Sequence, residues 1–245
     1  IGNRMVSFKG DKALMYKANF HLRTAIRILK PFLHFKADSA DDVYEICRKV
    51  DWEKYMDLSD SFAVDSVVYS EDFRHSKFVA YRVKDAIADY FRDKYSKRPN
   101  VSVANPDLTF HIHISHDDCS LSLDSSGESL HKRGYRQEAM EAPLNEVLAA
   151  GMILMSGWDG KCDFVDPMCG SGTIPIEAAL IARNMAPGLF RSSFAFEKWK
   201  DFDRDLFEEI YNDDSQEREF EFTIRGYDKD PKAILTAKRN AKAAG

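Results

Sequence analysis

Apolar and polar residues alternate strictly in the middle of the chain. Over residues 108–115 every second residue is apolar, and the residues between them are Thr, His, His and Ser. Successive side chains of a strand point to opposite faces, so this pattern predicts a strand with one buried face. Cys119, Leu121 and Leu123 repeat the alternation after the polar turn 116–118. The two segments together predict a β-hairpin.

Helical and strand patterns also precede this hairpin. Ser39 is a suitable N-cap for a helix over residues 40–55. Residues 62–69 are β-branched and aromatic and predict a strand. Residues 76–95 carry an apolar stripe at helical spacing and predict a helix. Residues 37–125 are therefore predicted to form a compact α+β module.

The segments that flank this module differ from it in length and polarity. We predict a strand over residues 4–8 and a helix over residues 12–29 that Pro31 ends. Residues 1–36 are too few to bury a core of their own, so they are predicted to be part of a small domain. Residues 126–145 are polar and are predicted to form a linker.

Helices and strands alternate in the C-terminal part of the chain. The patterns predict helix 146–156, strand 162–166, helix 175–184, strand 220–227 and helix 231–244. An aromatic and acidic insertion, residues 187–221, precedes the second strand. The β-α-β-α order is that of the start of a doubly wound parallel sheet, which predicts an α/β domain over residues 146–245.

Composition and charge restrict the class of protein. The chain is 44% hydrophobic and 31% charged, as in water-soluble globular proteins. It contains neither a long apolar run nor a secretory signal, so we expect a cytoplasmic protein without a membrane partner. The net charge is −5, but residues 200–221 contribute −7 and the remainder sums to +2. This balance leaves room for a basic surface that binds RNA.

The loop after the strand 162–166 has the residues of a ligand site. Asp166 ends the strand, Gly170-Ser171-Gly172 forms a turn, and a helix follows. Glycines let the backbone approach a ligand closely. Pro175 stands where a dinucleotide fingerprint needs Gly or Ala, and the Lys-Ser/Thr of a phosphate-binding loop is absent. An acid at the strand end suits the ammonium and sulfonium of S-adenosylmethionine (SAM), so we predict a SAM site.

A second acid follows the next predicted strand. Asp228 at a strand end is suited to accept the ribose hydroxyls of the cofactor, whereas Asp230, directly before Pro231, is suited to cap the following helix. The predicted cofactor-binding residues are Asp166, Pro167, Met168, Cys169, Gly170, Gly172, Thr173, Asp228 and Lys229.

The cysteines and histidines suggest little further chemistry. The four cysteines form no C-x-x-C pair and are expected to be reduced thiols rather than zinc ligands. Cys169 could act as a nucleophile, but we expect it to pack the turn. His111, His113 and His116 could bind a metal, but we expect them to face solvent and predict no metal site.

Several motifs occur in the order found in one known family. They are Gly127–Arg136, Ala142-Pro143-Leu144, Asp166–Thr173, Ile176-Glu177-Ala178-Ala179 and Ala186-Pro187-Gly188. The chain resembles the bacterial THUMP-domain methyltransferases that modify the exocyclic N2 of a guanine in 23S ribosomal RNA, some of which are labelled N6-adenine-specific DNA methylases. The resemblance implies a partial ferredoxin-like domain (1–36), a THUMP RNA-binding domain (37–125), a linker (126–145) and the first half of a Rossmann-like SAM-dependent methyltransferase domain (146–245).

The resemblance also assigns partners and residues. It implies that the cofactor is SAM, that the partner is RNA, expected to be 23S rRNA, and that the linker contacts it through Lys132, Arg133, Tyr135 and Arg136. Tyr135 would stack on a base. The family's catalytic motif, Asn/Asp-Pro-Pro-Phe/Tyr, is absent from these residues, so we assign no catalytic residue and expect this chain alone to be inactive. The alternatives are a tRNA guanine-N2 or DNA adenine-N6 methyltransferase, or an RNA-binding module without turnover.

Overall fold

The structure of the protein is a computed structural model that describes residues 5–71, 73, 76–138 and 143–245. The α-helices are α1 (Lys12–His21), α2 (Ala40–Cys47), α3 (Ser76–Tyr95), α4 (Glu146–Met155), α5 (Thr173–Ala182), α6 (Arg204–Tyr211) and α7 (Pro231–Ala243). The strands are β1 (Leu29–Lys36), β2 (Ser61–Tyr69), β3 (Asn100–Val101), β4 (Leu108–Ser115), β5 (Asp118–Asp124), β6 (Phe164–Asp166) and β7 (Ile224–Gly226). The predicted combination of α+β and α/β classes is confirmed.

Contacts divide the described residues into two units. The sheet unit contains Ile28–Gly127 and Phe194–Phe202, and the loop unit contains Ile1–Arg27, Glu128–Ser193 and Asp203–Gly245. The division between the two units lies between Arg27 and Ile28. The predicted domain bounds stay a prediction. The insertion before β7 contributes to both units, because residues 194–202 belong to the sheet unit and α6 to the loop unit.

The sheet unit is built on a five-stranded sheet in the order β1-β5-β4-β2-β3. Strands β1, β5 and β4 are antiparallel neighbours, whereas β2 runs parallel to both β4 and β3. The alternation predicted for β4 is confirmed, since its apolar side chains are buried and its polar ones are partly exposed. The predicted hairpin is also confirmed, with His116 in the left-handed region at φ 56°.

The N-terminal helix is shorter than predicted. α1 ends at His21 because Leu22 is extended, and Arg23 instead donates to the carbonyl oxygens of Leu180 and Met185 at 3.1 and 2.8 Å. Pro31 does not end a helix but lies in the edge strand β1, where its missing N–H costs no ladder hydrogen bond. Of the predicted strand 4–8, Arg4 lies outside the described residues, and residues 6–8 are not in a strand.

The next helix begins where predicted and ends early. The Ser39 hydroxyl accepts a hydrogen bond from the N–H of Asp42, as an N-cap does. α2 ends at Cys47, whose carbonyl accepts a hydrogen bond from the indole of the fully buried Trp52 at 2.9 Å. The chain then forms a short 3-10 helix, Trp52–Lys54, in place of the last turns of the predicted helix.

The loop unit holds the parallel pair β6 and β7, against which α5 packs. α4 packs on α5, and α1 packs on α6. The Asp230 side chain accepts from the N–H of Lys232 at the start of α7, and Pro231 is the first helical residue. The predicted capping role of Asp230 is confirmed. Because β6 and β7 are parallel, their carboxyl ends lie at the same edge of the sheet.

Candidate functional site

The residues between β6 and α5 form a tight glycine loop. Gly170 and Gly172 have φ values of 54° and 86°, in the left-handed region that favours glycine. A Cβ atom on Gly172 would lie 3.0 Å from the Cβ of Ala237 in α7. Gly172 is therefore required both by its backbone conformation and by the close approach of α7.

Backbone hydrogen bonds hold this loop against the end of β7. The N–H of Cys169 donates to the carbonyl of Tyr227, and the N–H of Tyr227 donates to the carbonyl of Asp166, both at 2.8 Å. Cys169 is buried, and burial raises the pKa of its thiol, so it remains neutral and packs the turn. These hydrogen bonds fix the loop to the carboxyl ends of β6 and β7.

The Asp228 carboxylate closes the loop from the other strand. Its Oδ2 atom accepts from the N–H of Gly170 at 3.0 Å, and its Oδ1 atom accepts from the N–H of Asp230 at 2.9 Å. The backbone N–H groups of Asp230 and Gly170 lower the pKa of this carboxyl, so it is ionised at neutral pH. Each carboxylate oxygen has a second lone pair with which to accept a ligand hydroxyl.

The two carboxylate oxygens of Asp166 differ in their hydrogen bonding. Its side chain is buried, and its Oδ1 atom accepts from the N–H of Met168 at 3.0 Å. Its Oδ2 atom is buried and has no hydrogen-bond partner among the described residues. Leaving a carboxylate oxygen buried and unpaired is costly, so this atom is suited to a donor group from a ligand.

The other predicted cofactor residues lie around the same loop. Pro167, Met168 and Lys229 are exposed, whereas Thr173 is buried at the first position of α5. The structure thus brings all the predicted cofactor residues to the joined ends of β6 and β7. Their assignment to a cofactor stays a prediction.

Asn240 in α7 joins the loop to the segment before α4. Its Nδ2 atom donates to the carbonyls of Ser171 and Glu138, both at 3.0 Å. Its Oδ1 atom accepts from the N–H groups of Gln137 and Glu138 at 2.9 and 3.2 Å. One buried amide therefore positions the glycine loop and the linker together.

The linker residues Arg133 and Tyr135 are buried, not exposed. Arg133 is 2% exposed and lies 3.5 Å from Oε1 of Glu177, and Tyr135, 1% exposed, donates its hydroxyl to the same atom at 3.0 Å. A side chain buried in this way cannot stack on a base, so the prediction that these two residues contact RNA is corrected. Burial raises the pKa of Glu177, against the opposing effect of Arg133.

Arg136 is also engaged within the loop unit. Its Nε atom lies 2.8 Å from Oε1 of Glu146, and its Nη2 atom donates to the Leu144 carbonyl at 2.7 Å and to the Thr173 hydroxyl at 3.1 Å. The structure therefore contradicts its assignment to an exposed RNA patch. Lys132 alone of the predicted set has a largely exposed side chain, and it pairs with Glu128 four residues earlier.

Sequence reasoning missed Glu177 and Asn240 as structural partners of the site. Glu177 is the only charged residue of α5, whose other nine residues are apolar or Thr. A charge in such a helix signals a buried partner, since a lone buried carboxylate is costly. For Asn240 the signal is weaker, because polar residues are common throughout α7.

The described residues contain neither a membrane-spanning helix nor a cluster of metal-binding side chains. Among the described residues, no helix has the length and apolarity that crossing a membrane would need. Over the same residues, no group of three or more His, Cys, Asp or Glu side chains is arranged to hold a metal ion.

Three protein-family models match successive parts of the chain. The model of an RlmL ferredoxin-like domain matches residues 1–29, the THUMP domain model matches residues 37–124, and the RMKL-like methyltransferase domain model matches residues 133–245. Residues 37–124 therefore match a THUMP domain, and residues 133–245 match an RMKL-like methyltransferase domain. The family resemblance inferred from the sequence motifs is thus confirmed. The methyltransferase match begins at Arg133, inside the predicted linker, in keeping with the burial of that residue in the loop unit.

Curated relatives carry related names. A Synechocystis sp. protein whose name includes the words RNA methyltransferase is 40% identical over 239 residues, which cover 97% of this chain and 62% of that protein. Ribosomal RNA large subunit methyltransferase K/L of Syntrophotalea carbinolica is 40% identical over 247 residues, which cover 98% of this chain and 35% of that protein. The chain therefore spans less than two thirds of either relative.

Two solved structures share the fold closely. The predicted N6-adenine-specific DNA methylase from Listeria monocytogenes is 34% identical with a TM-score of 0.85, over 96% of this chain and 62% of that one. SMU.472 complexed with SAH is 32% identical with a TM-score of 0.82, over 96% of this chain and 63% of that one.

Proposed function

We propose that this chain binds SAM in the glycine loop and is part of an enzyme that methylates RNA. The observation that carries the proposal is the buried Oδ2 atom of Asp166 beside that loop, which has no hydrogen-bond partner in the described ranges of the chain. The ammonium of an amino-acid ligand would supply the missing donor, and a charge-assisted hydrogen bond there would satisfy the carboxylate. The similarity to SMU.472, which is complexed with SAH, supports this ligand class.

The remaining loop residues suit the rest of such a ligand. The left-handed Gly170 and Gly172 bring the backbone close to the sheet edge, where an adenosine moiety would lie. Asp228 is ionised and retains lone pairs for ribose hydroxyls. When bound, SAM supplies a methyl group on a sulfonium, which is already a good leaving group. The task of this chain is then to position the donor.

We propose that the sheet unit, with its THUMP domain, binds the RNA. With Arg133 and Tyr135 buried, another exposed aromatic is needed to stack on a base. Tyr69 at the end of β2 is 57% exposed, and its ring centroid lies 5.8 Å from that of His113 on β4. His34 on the edge strand β1 is also exposed. Exposed aromatic and imidazole rings on a sheet are suited to unpaired bases.

The finer proposal is that the target is the exocyclic N2 of a guanine in 23S rRNA. It is supported by the family resemblance and by relatives named for the large ribosomal subunit. The reacting amine would have to leave its base stack to reach the methyl group. The name of the Listeria monocytogenes structure favours a second candidate, an adenine amine in DNA. The THUMP domain favours RNA over that candidate.

Two binding measurements test this proposal. Calorimetry with SAH should give measurable affinity for the wild-type chain, and Asp166→Asn should weaken it, because the carboxylate charge is lost. Competition binding should rank 23S rRNA above tRNA and above duplex DNA of matched length at the same salt concentration. Absence of SAH binding would contradict the assignment of SAM as the cofactor. Tighter binding of duplex DNA would contradict the assignment of RNA as the substrate.

A further inference from the structure

The guanidinium of Arg136 is only partly used. Of its five N–H groups, the one on Nε faces Glu146 and the two on Nη2 face the Leu144 carbonyl and the Thr173 hydroxyl. The Nη1 atom is buried and has no hydrogen-bond partner among the described residues. Within the part of the chain that the structure describes, the two N–H groups of Nη1 therefore find no acceptor.

These donors lie at the opposite end of the glycine loop from the Asp166 carboxylate. Thr173, which Arg136 contacts, directly follows Gly172 and is the first residue of α5, whereas Asp166 directly precedes the loop. The loop of six residues, 167–172, is therefore bounded by a buried carboxylate oxygen and a buried guanidinium nitrogen, neither of which has a hydrogen-bond partner among the described residues. Each alone carries a desolvation cost that a complementary ligand would remove.

An α-amino acid group has the matching pair of charges. Resting on the proposed function, we infer that Arg136 binds the carboxylate of the methionine moiety of the donor through Nη1, while Asp166 binds its ammonium. The N-terminus of α5 adds a favourable field for the same carboxylate. Glu146 and Leu144 hold the other edge of the guanidinium, which fixes the direction of Nη1 before the ligand arrives.

This assignment gives Arg136, the last residue of the Gly127–Arg136 motif, a role in cofactor binding. Arg136 would recognise the donor, not the RNA, and would distinguish SAM and SAH from adenosine compounds without a carboxylate. Since Glu146 is itself buried, it offsets the charge of Arg136 when no ligand is present. Arg136 is a binding residue that lies outside the β6–α5 loop in sequence.

Calorimetry with two ligands separates this role from a structural one. Arg136→Gln should lower the affinity for SAH about tenfold or more, in line with the loss of a charge-assisted hydrogen bond. It should leave the affinity for 5′-methylthioadenosine, which lacks the amino-acid group, within about twofold of wild type. Arg239→Gln is the matched control, because Arg239 is exposed and pairs with Glu138 in the same region, and it should change neither affinity.

The wild-type chain itself can be compared with two ligands, so that the role of Arg136 is measured even if Arg136→Gln does not fold. The wild type should bind SAM at least about tenfold more tightly than decarboxylated SAM. Equal affinity for the two, or an equal loss of SAH and methylthioadenosine binding in Arg136→Gln, would overturn the role of Arg136. A wild-type chain that binds neither SAH nor methylthioadenosine would overturn the proposed function instead.

Discussion

The carboxylate of Asp228 accepts a hydrogen bond at 3.0 Å from the backbone N–H of Gly170, which lies 58 residues earlier in the chain. This contact joins the end of β7 to the turn that follows β6. Because it uses a backbone donor, the lowered pKa of Asp228 is a property of the loop conformation as well as of the side chain. The residue that is suited to hold the ribose also holds the glycine loop.

Asp228→Ala should therefore weaken SAH binding about tenfold or more, since both the acceptor and the loop contact are lost. Isothermal calorimetry measures this change directly. Asp230→Ser is the matched control, because it removes a neighbouring charge but keeps an oxygen that can cap α7. The control should bind SAH nearly as the wild type does, and unchanged affinity in Asp228→Ala would remove Asp228 from the site.

The two loop glycines should respond differently to the same substitution. Gly172→Ala places a Cβ atom 3.0 Å from Ala237 and strains a φ of 86°, so it should lower both thermal stability and SAH affinity. At Gly170 a Cβ atom has no neighbour within 4 Å, so Gly170→Ala meets only the backbone cost of about 1–2 kcal/mol. Thermal denaturation should rank Gly172→Ala as the less stable. The reverse order would contradict the described packing of α7.

Glu177→Ala should destabilise the loop unit by about 3–5 kcal/mol, because it leaves the buried Arg133 guanidinium and Tyr135 hydroxyl without their shared acceptor. Urea unfolding followed by circular dichroism would measure the loss. Glu208→Ala is the control, since the Glu208 side chain is 61% exposed and lies 3.9 Å from that of Arg204. A change below about 1 kcal/mol in Glu177→Ala would show that the cluster is not a major source of stability.

Tyr69→Ala should lower the affinity for single-stranded RNA about fivefold or more, which corresponds to one lost base stack. Filter binding at constant salt measures this effect. Tyr81→Ala is matched to it, because Tyr81 is 55% exposed in the same unit but lies on α3, away from the sheet. Equal losses of affinity in the two variants, or no loss in Tyr69→Ala, would contradict the proposal that Tyr69 stacks on a base.

Several elements were predicted correctly from local patterns in the sequence. The Ser39 cap and the Asp230-Pro231 start of α7 depend on neighbours within a few residues, and both were found where expected. The alternation of β4 was also found, because its period is visible in the sequence even though its partners β2 and β5 are distant or separate strands. The conformation of the glycine loop was also predictable, because a strand, two glycines and a helix N-terminus follow one another directly.

The predictions that were wrong concern residues whose contacts are distant in sequence. Pro31 resembles a helix terminator until β5, almost a hundred residues later, pairs with its strand. Arg133 and Tyr135 resemble an exposed basic linker until Glu177 of α5 binds both. A charged or aromatic side chain has the same local signal whether it meets solvent or a buried acceptor, so only the tertiary structure separates the two.

The four hydrogen bonds of Asn240 restrict where insertions and deletions can be accommodated. One residue added to α7 before Asn240 would rotate its amide by about 100° and remove it from both the glycine loop and the linker. Extra residues between α6 and β7 would lengthen an exposed stretch and leave these contacts intact. Length variation among homologous chains should therefore concentrate between α6 and β7 and be rare between β7 and Asn240.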